Sequence, residues 1–353
     1  MKRRMKWLLL VFPLLLTGCA DLGYYLHSAK GQFSIMRQTR DIDEVLTDGN
    51  TTAQLRRQLQ LVLQIRQFAF DELELPRSDS YSEYADLGRP YVLKNLFATD
   101  EFSIKLQRWC YPLVGCAGYR GYFDAQRLAQ FKSTLLQQGK DVYVGNVSAY
   151  STLGWFDDPV LNTFVNWPDY RLAGLIFHEL AHQRLYIDDD TRFNESFAVA
   201  VQQAGVEKWL AQRAEHDHLQ RYRQYQANRA QVVDLIEQAR HQLDALYQQP
   251  LPAEQKRGQK QQLLQALRDR YQQKAQEFTV RDGFSRWFNG DLNNAKLASV
   301  STYHAQVAGF RHLLDCEQGD LGQFYRAVEK LAELPKDKRR QALKSIDDCT
   351  SRN

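Results

Sequence analysis

The sequence predicts an α+β protein that is predominantly α. Apolar residues recur at helical spacing over most of the chain, whereas short apolar and aromatic runs punctuated by glycines are confined to residues 91–147. A hydrophobic share of 44% with 25% charged residues is ordinary for a globular protein, so we expect a folded chain. The 353 residues can bury a sizeable core in one large domain or two.

The first 19 residues, MKRRMKWLLLVFPLLLTGC, have the pattern of a secretory signal. A basic start leads into an apolar run of about ten residues, which is shorter than the roughly 20 that a stable membrane span needs. The run ends in LTGC at 16–19, which resembles the lipobox of bacterial lipoproteins. We therefore expect removal of residues 1–18, acylation of Cys19, and a tether over residues 19–40.

Acylation of Cys19 implies a protein that is anchored in the bacterial cell envelope and faces the periplasm. Ala20 follows the cysteine where inner-membrane lipoproteins often have Asp, which favours the outer membrane. Loss of residues 1–18 removes four of the 46 basic residues, so basic and acidic residues balance at 42 of each. This balance gives no support for nucleic-acid binding, which needs a basic surplus or a basic face.

Four further cysteines favour disulfide bonds. An exported protein folds in an oxidising compartment, where an even number of cysteines suggests pairing. Of the three possible connectivities we favour the local one, Cys110–Cys116 and Cys316–Cys349, and buried free thiols are the alternative. A zinc site made of thiolates is less favoured, because the sequence has no CxxC pair.

The N-terminal part of the body predicts helices followed by a small sheet. Apolar residues between 41 and 75 recur at helical spacing, and Thr51 or Thr52 can cap the second of two helices. The sheet lies within 91–147, where VYVGNV at 142–147 is the clearest strand.

Two helices are predicted in the middle of the chain, and they frame the chemistry described below. The first covers residues 172–186 and is broken by DDDT at 188–191. Asp190 or Thr191 can cap the second helix, which begins near Phe193 and runs past residue 203.

A long helical hairpin is predicted over residues 206–278. This part is rich in Gln, Arg and Ala, its apolar residues follow a helical period, and QQPLPAEQ at 248–255 interrupts it. We interpret it as an insertion that serves as a structural or partner-contacting arm. The main domain then consists of residues 41–205 and 279–349.

The first of the two central helices carries His178-Glu179-Leu180-Ala181-His182, which matches H-E-x-x-H. Four residues advance an α-helix by about 400°, so both imidazoles face the same side, one turn apart. One Zn²⁺ can then contact both rings at roughly 2.0–2.1 Å, while the adjacent glutamate takes a proton from a water. The remaining histidines of the body show no partner spacing and are predicted to be surface or core residues: His216, His218, His241 and His312.

A catalytic zinc needs a third protein ligand, for which the sequence offers two kinds of candidate. Asp188 or Asp189 could serve as in short metalloproteases, but their sharp turn usually has Gly where Leu185 stands here. Glu195 is the better candidate, provided that the break at 188–191 turns the second helix back towards the histidines. Only 12 residues separate His182 from Glu195, so the link has to be tight.

Asn194-Glu195-Ser196-Phe197-Ala198 resembles the second-helix motif N-E-x-F-A of gluzincins, the thermolysin- and aminopeptidase-N-like zinc peptidases. In order, the lipobox, CYPLVGCAGYRGYF, AYSTLGWFDDPVLNTF, the two central helices, the hairpin and FNGDLNNAKLASVSTYH resemble a family of bacterial zinc aminopeptidases over most of the mature chain. The resemblance implies one Zn²⁺ per chain and a peptide or protein substrate. The link to Glu195 is shorter than in gluzincins.

Three further features could complete such a site. The strand at 142–147 could pair with an extended substrate, as the edge strand of gluzincins does. A donor for the oxyanion is expected from Tyr303 or His304, of which we favour Tyr303. Asp157 and Asp158 could bind a substrate α-amine, which would favour an aminopeptidase.

The sequence therefore predicts a zinc peptidase with His178, His182 and Glu195 as metal ligands and Glu179 as general base. An aminopeptidase is favoured by the family resemblance, and an endopeptidase is the nearest alternative. A non-catalytic envelope scaffold that binds a protein partner through the hairpin is the alternative from another class.

Overall fold

The computed structural model describes residues 24, 27, 30–111, 115–149, 157–188, 190–304, 306–344 and 349, with backbone only at 111, 115 and 301–304. Cys19, Asp189 and the side chains of Tyr303 and His304 lie outside the described residues. Within the described part, none of the helices combines the length and apolar character that a membrane span requires.

The protein is α+β and predominantly helical, which confirms the predicted fold class. The helices are α1 (Ile42–Thr47), α2 (Ala53–Asp71), α3 (Ala125–Gln137), α4 (Asp169–Arg184), α5 (Thr191–Gln212), α6 (His216–Tyr247), α7 (Ala253–Gln276), α8 (Ser285–Phe288), α9 (Asn294–His304), α10 (Val307–Cys316), α11 (Leu321–Ala332) and α12 (Lys336–Lys344). The Thr52 hydroxyl caps α2 by accepting from the backbone N–H of Leu55.

Short strands form three small sheets. They are β1 (Thr39–Asp41), β2 (Glu83–Ala85), β3 (Leu93–Thr99), β4 (Trp109–Tyr111), β5 (Gly115–Ala117), β6 (Arg120–Tyr122), β7 (Asp141–Val147) and β8 (Val160–Leu161). The sheet orders are β1-β2-β8, β6-β3-β7 and β4-β5. The predicted strand at 142–147 lies in β7, which runs antiparallel to β3 with Leu96 opposite Val144. Among the described residues β7 is an edge strand of its sheet.

The main core surrounds α4 and α5. Apolar side chains of α2, α4, α5, α10 and α11 pack together there, and Phe310 of α10 contacts Phe193 and Phe197 of α5 at ring distances of 4.9 and 5.8 Å. Residues 30–36, in the predicted tether, are helical, and Ile35 is buried in this core. The end of the predicted tether therefore belongs to the folded body.

The hairpin consists of α6 and α7. Together with α8 and α9 it forms a second hydrophobic core, distinct from the main one. It begins later than the predicted residue 206, because α5 continues to Gln212 with Val206, Trp209 and Leu210 buried in the main core. The hairpin also contacts the sheet, since the buried Lys260 ammonium lies 2.7 Å from Asp141 at the start of β7. The hairpin therefore braces the edge strand.

Two disulfides link the local cysteine pairs. Cys110 is bonded to Cys116 across the β4–β5 pair, and Cys316 at the end of α10 is bonded to Cys349. This is the connectivity that the sequence favoured among three.

Candidate metal centre

The histidine pair lies on α4 with one helical turn between the rings. The centroids of His178 and His182 are 4.9 Å apart and the rings are nearly perpendicular. Phe177, Leu180 and Ala181 on the same helix are fully buried in the main core. The core thus fixes the rotation of α4, and this rotation presents both imidazoles to the same side.

The carboxylate of Glu195 on α5 faces both rings. Its Oε2 atom lies 3.3 Å from His178 Nε2 and 3.8 Å from His182 Nε2. One ligand atom from each of the three residues lies within 4.8 Å of the others. The helix that follows the DDDT break does turn back, and it brings together the three residues that the sequence favoured as metal ligands.

Asn194 closes the short link between the two helices. Its side-chain oxygen accepts from the backbone N–H of Ile187 at 2.9 Å, and its amide donates to the carbonyl of Ile187 at 2.8 Å. Asn194 is almost fully buried, so both bonds are shielded from water. This pair of bonds fastens the loop to the first turn of α5, directly beside Glu195.

A buried ion pair holds the beginning of α5 from the other side. Asp190 is the N-cap residue of α5, but its side chain makes no capping bond. It instead accepts a 2.9 Å hydrogen bond from Arg339 on α12, and both residues are buried. Of the two predicted cap residues, Asp190 therefore holds the N-cap position, but its carboxylate bonds to the charged Arg339 instead of the backbone N–H groups of the helix.

Glycines allow α4 and α5 to approach each other closely. A Cβ atom at Gly174 would lie 3.2 Å from Gln202 Nε2. At Gly205 a Cβ atom would lie 2.6 Å from Leu73 Cδ1 and 2.8 Å from Phe177 Cδ2, closer than carbon atoms approach without bonding. The close packing of the two helices brings the glutamate within reach of the histidines.

The surroundings shift the pKa values of the two glutamates, Glu195 and Glu179, in opposite directions. Burial alone would raise the pKa of the Glu195 carboxyl, but hydrogen bonds with His178 and His182 outweigh it and hold this pKa well below its ordinary range. Burial also raises the pKa of Glu179, to about 7, assisted by the Glu195 and Asp158 carboxylates and opposed by His178. Glu195 is thus an anionic ligand candidate, whereas Glu179 can exchange a proton near neutral pH.

The cluster fits the ligand set of a tetrahedral zinc site. Two atoms bound to one zinc at about 2.05 Å lie about 3.4 Å apart, close to the two distances from the Glu195 oxygen. Two imidazoles and one carboxylate are also the donor set of several catalytic zinc sites, which leave a fourth position for water or substrate. Both histidines, His178 and His182, contact the Glu195 carboxylate through Nε2. Their Nδ1 atoms are buried and have no hydrogen-bond partner among the described residues.

A family model described as "Putative aminopeptidase" matches residues 23–343. The chain belongs to this family. No curated protein and no solved structure matches the chain. The family description supports a peptidase, and the matched range includes the histidine pair, both glutamates and the helices that carry them.

The other aspartates that the sequence singled out differ in whether they lie near the histidine–glutamate cluster. Asp188 is exposed and does not join the cluster. Asp157 is exposed as well, whereas Asp158 is buried close enough to Glu179 to raise the pKa of that carboxyl. Of the two aspartates proposed to bind an amine, only Asp158 therefore contributes charge to the site.

Tyr81 was missed at the level of sequence. It is buried with a backbone φ of 64°, a conformation that costs energy for a residue with a side chain. Its N–H donates to the Asp158 carbonyl at 2.7 Å, and burial together with Glu179 and Asp158 raises the pKa of its phenol. The neighbouring Ser80 hydroxyl accepts from Gln183, the residue after His182.

Tyr119 was also missed, although it lies in the stretch CYPLVGCAGYRGYF. Its ring contacts Phe97 of β3 at 5.8 Å. Burial raises the pKa of the phenol, and the charges of Glu195 and Glu179 raise it further. No local pattern marks Tyr81 or Tyr119, because each is about 60 to 100 residues away from Glu179 in the chain and meets it only through the fold.

Proposed function

We propose that this protein is a zinc-dependent aminopeptidase of the gluzincin type, lipid-anchored through Cys19 in the bacterial envelope and facing the periplasm. The observation that supports it most is the convergence of His178, His182 and Glu195 within 4.8 Å. Family membership supports the peptidase activity independently of that geometry. One zinc per chain is the proposed cofactor.

Zinc bound by the three ligands would act as a Lewis acid and allow an attacking water to lose its proton near neutral pH. Glu179 is the residue that receives this proton. The same carboxyl can accept the proton from water and pass it to the leaving amine, and burial raises its pKa above that of an exposed glutamate. Glutamate at its ordinary pKa would be a weaker base for this task.

The substrate is proposed to lie along β7. This strand pairs with β3 on one side, and in the described part of the chain no strand pairs with its other side. An extended peptide could add to that side through backbone hydrogen bonds, without regard to most of its side chains. The Lys260–Asp141 pair and the bond from Asn293 to the Val142 carbonyl hold the start of the strand in place.

The preference for a free N-terminus is proposed to come from Asp158. A protonated α-amine would find a buried carboxylate there, close to the general base. An oxyanion that develops on the substrate needs a hydrogen-bond donor as well. Tyr303 remains the candidate proposed from the sequence. Tyr119 is a second candidate, because the charges of Glu195 and Glu179 both raise the pKa of its phenol.

The test begins with the metal and the base. Elemental analysis of the purified chain is expected to find about one zinc, and Glu179→Gln is expected to keep that zinc while hydrolysis falls by about 10²–10⁴-fold. His178→Ala is the matched control, which should lose both metal and activity. A chain without stoichiometric metal, or a Glu179→Gln variant with normal turnover, would refute the proposal.

Hydrolysis of free and N-acetylated peptides distinguishes an aminopeptidase from an endopeptidase. An aminopeptidase cleaves a free peptide but leaves its N-acetylated form intact, whereas an endopeptidase cleaves both. Asp158→Asn should raise KM for the free peptide, because the amine loses its counter-charge. The alternative proposal is a non-catalytic scaffold that binds a protein partner through the hairpin. It predicts that deletion of residues 210–276 abolishes the function of the protein in the cell while Glu179→Gln is tolerated.

A further inference from the structure

The C-terminal disulfide lies against a histidine. His312 and Cys316 are four residues apart on α10, so they share one face of the helix. Cys349 reaches the same face from the C-terminal segment through its bond to Cys316. One ring nitrogen of His312 and both sulfur atoms lie within 4.8 Å of one another.

His312 also has a buried ring nitrogen without a hydrogen-bond partner among the described residues. Its Nε2 is shielded from solvent and makes no hydrogen bond with any described residue. Buried polar side-chain atoms nearly always have a partner, so an exception needs a physical explanation. At the level of sequence His312 was assigned no partner: the four-residue spacing to Cys316 was passed over, and Cys349 is 37 residues further along the chain.

We propose that His312, Cys316 and Cys349 form a second metal site, for Zn²⁺, that exists only when the disulfide is reduced. Two thiolates and one imidazole are a soft ligand set that zinc binds well, with a water as fourth ligand. In the oxidised state both sulfurs are bonded to each other, and the site is closed to metal. This site is separate from the proposed catalytic centre and involves none of its ligands.

The redox step requires a dithiol reductant of the thioredoxin class. Its thiolate attacks the sulfur of Cys349, which is an exposed residue, the S–S bond breaks, and Cys316 leaves as a thiolate. The second thiol of the reductant then resolves the mixed disulfide, so the reductant becomes a disulfide and the protein a dithiol. Zinc binding releases the two thiol protons and leaves the metal bridging the same two sulfur atoms.

Such a site would keep Cys349 linked to Cys316 in both redox states. The C-terminal segment follows α12, whose Arg339 holds Asp190 at the beginning of α5. Metal would replace the covalent link when the disulfide is reduced, so that the support for the glutamate helix is not lost with it.

The experiment compares zinc binding by the full chain in its oxidised and reduced forms. Metal-free protein is titrated with Zn²⁺ against a chromophoric chelator, before and after reduction with a phosphine, and far-UV circular dichroism follows the fold. We expect one additional zinc equivalent on reduction, with a thiolate-to-metal absorption band when Co²⁺ is used. The additional equivalent should disappear in Cys316→Ser/Cys349→Ser and bind at least tenfold more weakly in His312→Ala.

The variant His178→Ala/His182→Ala separates this proposal from the catalytic one. It should lose the zinc bound in the oxidised state and keep the zinc gained on reduction. Equal zinc binding in the two redox states, or unchanged affinity in His312→Ala, would overturn the proposal. Unfolding on reduction that added zinc does not reverse would overturn it too.

Discussion

Replacing Arg339 with Met should destabilise the protein and loosen the metal centre from a distance. Arg339 donates at 2.9 Å to Asp190, and the two residues are 5% and 2% exposed. Met keeps much of the volume that packs on the Phe193 ring but removes the charge. Asp190 then remains as a buried carboxylate at the beginning of the helix that carries Glu195.

The expected loss in the free energy of unfolding lies near the lower end of the range known for broken buried ion pairs. Removing one partner of a buried ion pair costs about 3–5 kcal/mol, because the other charge stays buried without compensation. Two more cations of α12, Lys336 and Arg340, lie 3.9 Å from the other oxygen of Asp190 and recover part of this loss. We therefore expect a loss of about 3 kcal/mol in the free energy of unfolding.

The assay is urea unfolding followed by tryptophan fluorescence, together with a zinc titration of the folded protein. Arg340→Met is the matched control, since its guanidinium is 37% exposed and farther from the carboxylate, and it should cost below about 1 kcal/mol. Asp190→Leu combined with Arg339→Met should recover stability, because a buried ion pair can be replaced by apolar residues. Equal effects of Arg339→Met and Arg340→Met would refute the reasoning.

Two further predictions concern the packing of the central helices. Gly205→Ala places a methyl group 2.6 Å from Leu73 Cδ1 and should lower the free energy of unfolding by about 1–3 kcal/mol, measured by thermal unfolding. Gly258→Ala is the control: this glycine is exposed on α7 with nothing within 4 Å, so stability should stay the same or rise by up to about 1 kcal/mol. Asn194→Ala removes both bonds to Ile187 and should cost about 1–3 kcal/mol and lower zinc affinity. Unchanged zinc affinity in Asn194→Ala would show that the loop does not position Glu195.

The positions of the two histidines could be predicted from the sequence because they depend on local geometry alone. Any α-helix places residues four apart on one face, so the relation of His178 to His182 does not depend on what surrounds α4. Glu195 was a harder case, since the angle between two helices is set by tertiary contacts. Asp188 was an alternative ligand at the level of sequence, and the structure leaves it exposed and outside the cluster.

By itself, the sequence determined the helical class and the HExxH face, which follow from short-range spacing, and it favoured one of three disulfide connectivities. The tertiary structure alone decided which carboxylate joins the histidines, that the charges of Asp158 and Glu179 act on the buried Tyr81 phenol, and that Cys349 comes within 4.8 Å of a His312 ring nitrogen. Periodicity and capping act over a few residues, whereas these contacts join residues from 13 to about 100 positions apart. Packing of the whole core decides which of those distant segments meet.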